Sequence, residues 1–211
     1  MTARSASSTP TEWVLYGAPG SGSAAVVMGL RACGLDYRMV LAATWEPGPG
    51  RDALRRINPL GQIPTLQAPD GSVLTESAAI LIHLGLQHPA SGLLPVDPAR
   101  RAQTLRGLVF IAANCYPAVG ISDYPERWTT ASTAPAQAKV RAAARAQLHR
   151  AWDIFADQFG ALLDDEPPGA LAMLAVVVSA WSGTRAHLAQ ARPAFSRRLL
   201  TLQAHRRLAT D

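Results

Sequence analysis

The sequence predicts an α/β domain over about residues 13–88, a linker over 89–98 and an all-helical domain over 99–211. Three observations predict it. Short apolar runs with β-branched or aromatic residues, such as Trp13-Val14-Leu15-Tyr16 and Ile63–Gln67, are confined to the first part of the chain. Asp70-Gly71 between two such runs is a hairpin signal. From Ala99 onward no strand pattern occurs and helical periodicity takes over.

Taken in order, the first strand is Trp13–Tyr16, followed by the glycine-rich loop Gly17–Ser23 and an apolar helix from Ala24. A second strand is expected at Leu35–Leu41 and a short helix at Arg51–Ile57. The breakers of Trp45-Glu46-Pro47-Gly48-Pro49-Gly50 lie between them. The third strand carries Pro64 near its start, which has no N–H for a ladder and marks a bend or an edge. The fourth, Ser72–Leu74, is short. At Glu76-Ser77 the period changes from two to 3.6, with Ile80, Leu81 and Leu84 as the apolar stripe, so a helix starts there. Beyond the linker, helical runs are expected at 99–114, 134–159, 170–181 and 193–208. Asn114-Cys115-Tyr116-Pro117 should break the first of them.

Composition removes several classes. The 211 residues are 48% hydrophobic, enough for a core, yet no run of eighteen apolar residues suggests a membrane span. Residues 1–12 read as a loose tail without the apolar region of a secretory signal. Two cysteines, Cys33 and Cys115, make no disulfide framework and fit a reducing cytoplasm; Cys33 is expected in the core. The net charge of +5 is almost all arginine, in pairs such as Arg100-Arg101 and Arg197-Arg198. These lack interleaved aromatics and read as solvated faces, not a nucleic-acid surface. The five histidines show no paired metal spacing, so no metal is expected. Gly17–Ala24 matches most of a phosphate-binding loop, but Ser23 stands where its lysine belongs and Ala24 where its hydroxyl belongs. A nucleotide site is therefore rejected.

The stretch Asn58-Pro59-Leu60-Gly61-Gln62-Ile63-Pro64-Thr65-Leu66, the Asp70-Gly71 turn and Glu76-Ser77-Ala78-Ala79-Ile80 together resemble the glutathione-site half of the glutathione transferase family. The resemblance implies a thioredoxin-like first domain, glutathione as co-substrate or cofactor, and a homodimer. It implies a cis Ile63–Pro64 bond that presents the Ile63 backbone to the cysteinyl unit. It also places Glu76 on the γ-glutamyl ammonium, with Ser77 and its helix N-terminus on the carboxylate. Gln62 stands where relatives often carry lysine. The loop Leu15-Tyr16-Gly17-Ala18-Pro19-Gly20-Ser21-Gly22-Ser23 is similar to that of many bacterial members, in which this loop faces the thiol. Ser21, between two glycines that let a ligand come close, is the preferred catalytic residue, with Ser23 and Tyr16 as alternates. Ser23 is expected to cap the following helix.

The resemblance further implies a second-substrate pocket between the domains, for which Asn114, Tyr116 and Tyr124 are the candidates, while Trp181 is assigned to the core. Two departures stand out. Ala25 replaces a basic residue, and Pro168-Gly169-Ala170-Leu171 lacks the hydroxyl cap and aspartate that relatives place at a core helix. The expected function is glutathione transfer to a small electrophile. The alternatives are a non-catalytic glutathione-binding protein, and a glutathione-dependent isomerase or thiol donor.

Overall fold

The computed structural model describes residues 12–209, so the tail expected at 1–12 lies almost wholly outside the described residues. Strands β1 (Trp13–Gly17), β2 (Tyr37–Leu41), β3 (Thr65–Gln67) and β4 (Val73–Thr75) form one sheet in the order β2-β1-β3-β4. β1 runs parallel to β2 and antiparallel to β3, and β3 and β4 make the expected hairpin. With α1 (Ser23–Ala32), α2 (Pro49–Ile57) and α3 (Ser77–Gln87), this is the thioredoxin-like arrangement. The rest is helical: α4 (Pro98–Phe110), α5 (Tyr116–Asp123), α6 (Ala134–Phe159), α7 (Ala170–Val178), α8 (Thr184–Ala191) and α9 (Pro193–Gln203).

The period-two alternation of β1 sorts its side chains between two cores. Leu15 points to the face covered by α1 and α3, while Val14 and Tyr16 point to the other, with Ala42 and with Leu54 of α2. The first core runs on into the helical part through Leu108, Trp152, Phe155 and Leu171. At its centre is α7, whose sequence ALAMLAVVV is apolar on every side. Such a helix is stable only when enclosed, and α7 packs against α1, α3, α4 and α9.

The missing cap of α7 is replaced by the linker. The Ala170 N–H donates to the Leu93 carbonyl at 2.9 Å, satisfying one of the backbone donors that a helix start leaves open. Gly169 makes the approach possible, since a Cβ there would stand 2.8 Å from that same carbonyl oxygen.

Three expectations change. The first long helix does not break at Asn114–Pro117. Pro117 has no N–H, and its ring would crowd the carbonyl of Ala113. The chain widens instead into a π-helical turn over Ile111–Cys115, in which the Tyr116 N–H reaches the Ile111 carbonyl, and continues as α5. Pro98–Asp123 is thus one helix with the length and hydropathy of a membrane span. Its Leu108, Ile111, Cys115 and Val119 are nevertheless buried in the protein core. Second, α8 escapes the periodicity because it buries only Thr184 and Leu188; it is tied to α6 by His187 Nε2 and Asp153, 3.0 Å apart. Third, the arginine pairs are not only solvated faces. Arg198 donates to the Gly160 carbonyl and to Asp164, and Arg100 to Asp165, so α9 and α4 together clamp the turn after α6.

Gly169→Ala should lower stability by about 1–3 kcal/mol, because the new methyl meets backbone that cannot rotate away. Urea unfolding reads this directly; an unchanged midpoint would show that the linker moves freely.

Candidate functional site

Asn58, 4% exposed, organises the loop before β3. Its amide nitrogen donates to the Gln62 carbonyl (3.1 Å) and to Thr65 Oγ1 (2.9 Å), while its Oδ1 accepts from the Leu60 N–H. Thr65 Oγ1 in turn donates to the Gln62 carbonyl at 2.8 Å. The polar groups of a sharp loop are thus satisfied inside the protein. The Ile63–Pro64 bond is cis, as expected, and the Gln62 side chain is left exposed. The sequence motif by itself assigns no role to Asn58 and Thr65; the signal for one is an asparagine followed by proline and glycine, seven residues before a strand threonine.

Glu76 has φ 64 and ψ 113, a conformation that non-glycine residues rarely adopt and that costs of order 1–3 kcal/mol. It turns the chain sharply from β4 into α3. The Glu76 carboxylate is left exposed, and Ser77 becomes the buried first residue of the helix. Gln62, Ile63, Pro64, Glu76 and Ser77 all line one cleft of about 600 Å³. Its opposite wall comes from the helical part and includes Tyr116, Tyr124 and Arg127, the guanidinium of Arg127 lying 3.9 Å from the centre of the Tyr124 ring.

Ser21 lies on a second cavity of about 430 Å³, whose walls are mostly apolar: Val27, Met28, Met39, Val177 and Trp181. Trp181, expected in the core, is therefore a cavity wall. Gly22 stands between Ser21 and the Glu76–Ser77 cleft. A Cβ on Gly22 would stand 2.4 Å from Tyr116 Oη and 3.2 Å from Ser77 Oγ, so the loop that carries Ser21 touches the hydroxyls of the other cleft. Those two hydroxyls lie 3.1 Å apart, and the Tyr116 ring meets Trp181 edge-on with centroids 5.7 Å apart. Burial pushes the Tyr116 phenol up to about 12; the bond to Ser77 opposes this and the Glu76 charge adds to it. The phenol is therefore a neutral donor at physiological pH. Burial likewise pushes Cys115 up to about 12, which makes it a poor thiolate.

The Ser21 hydroxyl lies 2.7 Å from the Ala18 carbonyl and 2.9 Å from the Ser23 hydroxyl, and it accepts the Ser23 N–H at 3.2 Å. A hydroxyl has one proton. The Ser21 proton goes either to the Ala18 carbonyl or to Ser23 Oγ, and the donor this hydroxyl accepts from is the Ser23 N–H. Ser21, not Ser23, thus satisfies the start of α1. Ser23 is the first helical residue and is 1% exposed, with its hydroxyl packed over Gly17, where a Cβ would stand 2.4 Å away.

Two candidates lie elsewhere. Tyr16 is packed in the smaller core with Leu54 and Ile63, on neither cavity. Asn114 is exposed on the π turn and bonds back to the Phe110 carbonyl, away from both spaces. Tyr116 and Tyr124 line the cleft of Glu76 and Ser77 and are absent from the apolar cavity beside Ser21. Among the described residues no group of three or more His, Cys, Asp or Glu could hold a metal ion.

Residues 23–87 match the family described as glutathione S-transferase, N-terminal domain. An uncharacterized GST-like protein of Escherichia coli K12, YncG, is 37% identical over 126 residues, covering 59% of this chain and 60% of that protein. A probable maleylacetoacetate isomerase of Caenorhabditis elegans is 33% identical over 92 residues, covering 44% and 41%. The matched stretches thus span 60% or less of these curated relatives. Among solved structures, a glutathione transferase homologue from Sulfitobacter with bound glutathione superposes with a TM-score of 0.76 at 23% identity. The superposition covers 94% of this chain and 95% of that one and speaks to the fold.

The raised phenol has a consequence for stability. Tyr116 keeps its proton in the folded protein at pH values where the unfolded chain, with a tyrosine near 10, has lost it. The folded state then holds more protons, so its stability falls as pH rises from 10 toward 12. Thermal melts over that range should show a smaller decline for Tyr116→Phe than for the wild type. Parallel curves would mean that the phenol titrates normally.

Proposed function

Because residues 23–87 belong to the glutathione S-transferase N-terminal domain family and the whole described chain has the glutathione transferase fold, we propose that this protein binds glutathione and activates its thiol for attack on a small electrophile. The observation that carries this is the convergence of Gln62, Ile63, Pro64, Glu76 and Ser77 on one cleft, with Ser21 just beyond Gly22. In this reading Glu76 takes the γ-glutamyl ammonium. Ser77 and the α3 N-terminus take the carboxylate, and the Ile63 backbone pairs with the cysteinyl unit.

The thiol then lies toward the Gly22 ridge, where Ser21 turns its proton from the Ala18 carbonyl to the sulfur. The Ser23 backbone N–H still donates to Ser21 Oγ and holds that hydroxyl polarised. A donor at this place lowers the thiol from its ordinary value of ~8.5 and favours the nucleophile. The electrophile takes the apolar cavity walled by Met39, Val177 and Trp181. The protein works in a reducing compartment such as the cytoplasm, with Cys33 and Cys115 unpaired. It acts as a homodimer; edge strand β4, α3 and α4 leave Val73, Leu86 and Val109 exposed for a second copy.

A second reading, a protein that binds glutathione without transferring it, is favoured by one observation: the Ser21 proton already has an acceptor in the Ala18 carbonyl. Glutathione calorimetry combined with turnover on a panel of model electrophiles separates the two. Binding with turnover supports the first reading, and binding without turnover supports the second.

Two substitutions test the residue roles. Glu76→Gln should weaken glutathione binding by roughly 1.5–3 kcal/mol while the melting temperature holds, since a charged hydrogen bond is lost from an exposed position. Unchanged calorimetry would reduce Glu76 to a turn residue. Ser21→Ala should leave binding nearly intact, raise the pH at which bound glutathione shows thiolate absorbance, and slow turnover about a hundredfold or more. If Ser23→Ala does this and Ser21→Ala does not, the two serines exchange roles.

A further inference from the structure

The Ser77–Tyr116 contact joins the sheet side and the helical side of the cleft at the point where a γ-glutamyl carboxylate would bind. Both partners are hydroxyls, and either could donate across 3.1 Å. Chemistry favours the phenol as donor, because it is the more acidic of the two and its lone pairs are drawn into the ring. Ser77 Oγ has no other hydrogen-bond partner among the described residues. With one lone pair taken by Tyr116, its own proton is left for a ligand.

Three features fix the phenol in place. The π turn forced by Pro117 rotates Tyr116 toward α3, the edge of Trp181 confines its ring, and the bare Cα of Gly22 leaves room for its oxygen. Without Gly22, the methyl would occupy the space 2.4 Å from Tyr116 Oη, and the ring would have to swing off Ser77.

We propose that Tyr116 is a positioning residue of the glutathione site: its phenol donates to Ser77 Oγ and so directs the serine proton onto the γ-glutamyl carboxylate. This rests on the glutathione reading above and adds to it a contribution from the helical part of the chain. The benefit is preorganisation. The hydroxyl that meets the ligand is already oriented, so binding does not have to order it.

The test compares glutathione with γ-aminobutyryl-cysteinyl-glycine, the analogue lacking the γ-glutamyl carboxylate, by calorimetry on the wild type, Tyr116→Phe and Ser77→Ala. Tyr116→Phe should weaken glutathione about two- to tenfold, the range of one neutral hydrogen bond, and leave the analogue unchanged. Discrimination between the two ligands therefore shrinks, and adding Tyr116→Phe to Ser77→Ala should change nothing further. The ultraviolet titration of bound thiol should stay where it is. Gly22→Ala, which displaces the phenol without removing it, should shrink the discrimination in the same direction and covers the case in which Tyr116→Phe fails to fold. Equal losses for both ligands would overturn the proposal and leave Tyr116 as packing alone. A shifted thiol titration with unchanged discrimination would also overturn it, by placing the phenol at the sulfur. Both results require a wild type that binds glutathione. A wild type that does not bind would instead retire the glutathione reading, and this proposal with it.

Discussion

The architecture depends on the enclosure of α7. Nine residues without a polar side have no face to give to water, so other elements must cover them all round. Helices α1 and α3, whose other sides cover the sheet, provide part of that cover, and α4 and α9 provide the rest. The sheet and the helical bundle therefore share one apolar core instead of two joined by a flexible hinge. Both cavities open at the rim of this shared core, where the loops before α1 and α3 face the helices around α7. The cleft proposed for glutathione, built mainly from the first eighty residues, thus acquires a far wall from residues 112–128.

Features carried by local chemistry were legible in the sequence. The Asp70-Gly71 turn, the change of period at Glu76-Ser77 and the proline before β3 each act within a few residues, and each stands where expected. Features that depend on rotation about a helix axis were not. A single wide turn before Pro117 moves Tyr116 against Ser77 and leaves Asn114 facing outward, so two neighbours that looked equivalent separate. Alternation alone places Tyr16: it shares the parity of Val14, and a period of two puts both against α2. α8 offered too little apolar pattern for any periodicity argument, and its attachment through His187 and Asp153 is a matter of tertiary contact.

The serine pair shows how burial divides similar residues. Ser21 and Ser23 are two positions apart in a loop of glycines and look alike as candidates. Folding one inside helix α1 removes it from solvent, and its backbone N–H supports the other. The half-buried Ser21 hydroxyl then has the Ser23 N–H behind it and the Ala18 carbonyl in front. Asn58 supports the opposite wall in a comparable way, as a buried amide that orients backbone from inside the protein.

The docking of Leu93 on Ala170 has a consequence for the order in which the chain assembles. The two residues are far apart in sequence, and closing such a long loop is slow and entropically unfavourable until other contacts hold it. The Leu93 carbonyl leaves the ribosome well before α7 is made, attached to a sheet that can already form. The helical half therefore condenses on a template, and its most apolar segment meets a waiting acceptor and a waiting surface as it emerges. Synthesised alone, that half would carry an uncapped, wholly apolar helix covered by α4 and α9 but bare where α1 and α3 belong, and aggregation would compete with folding.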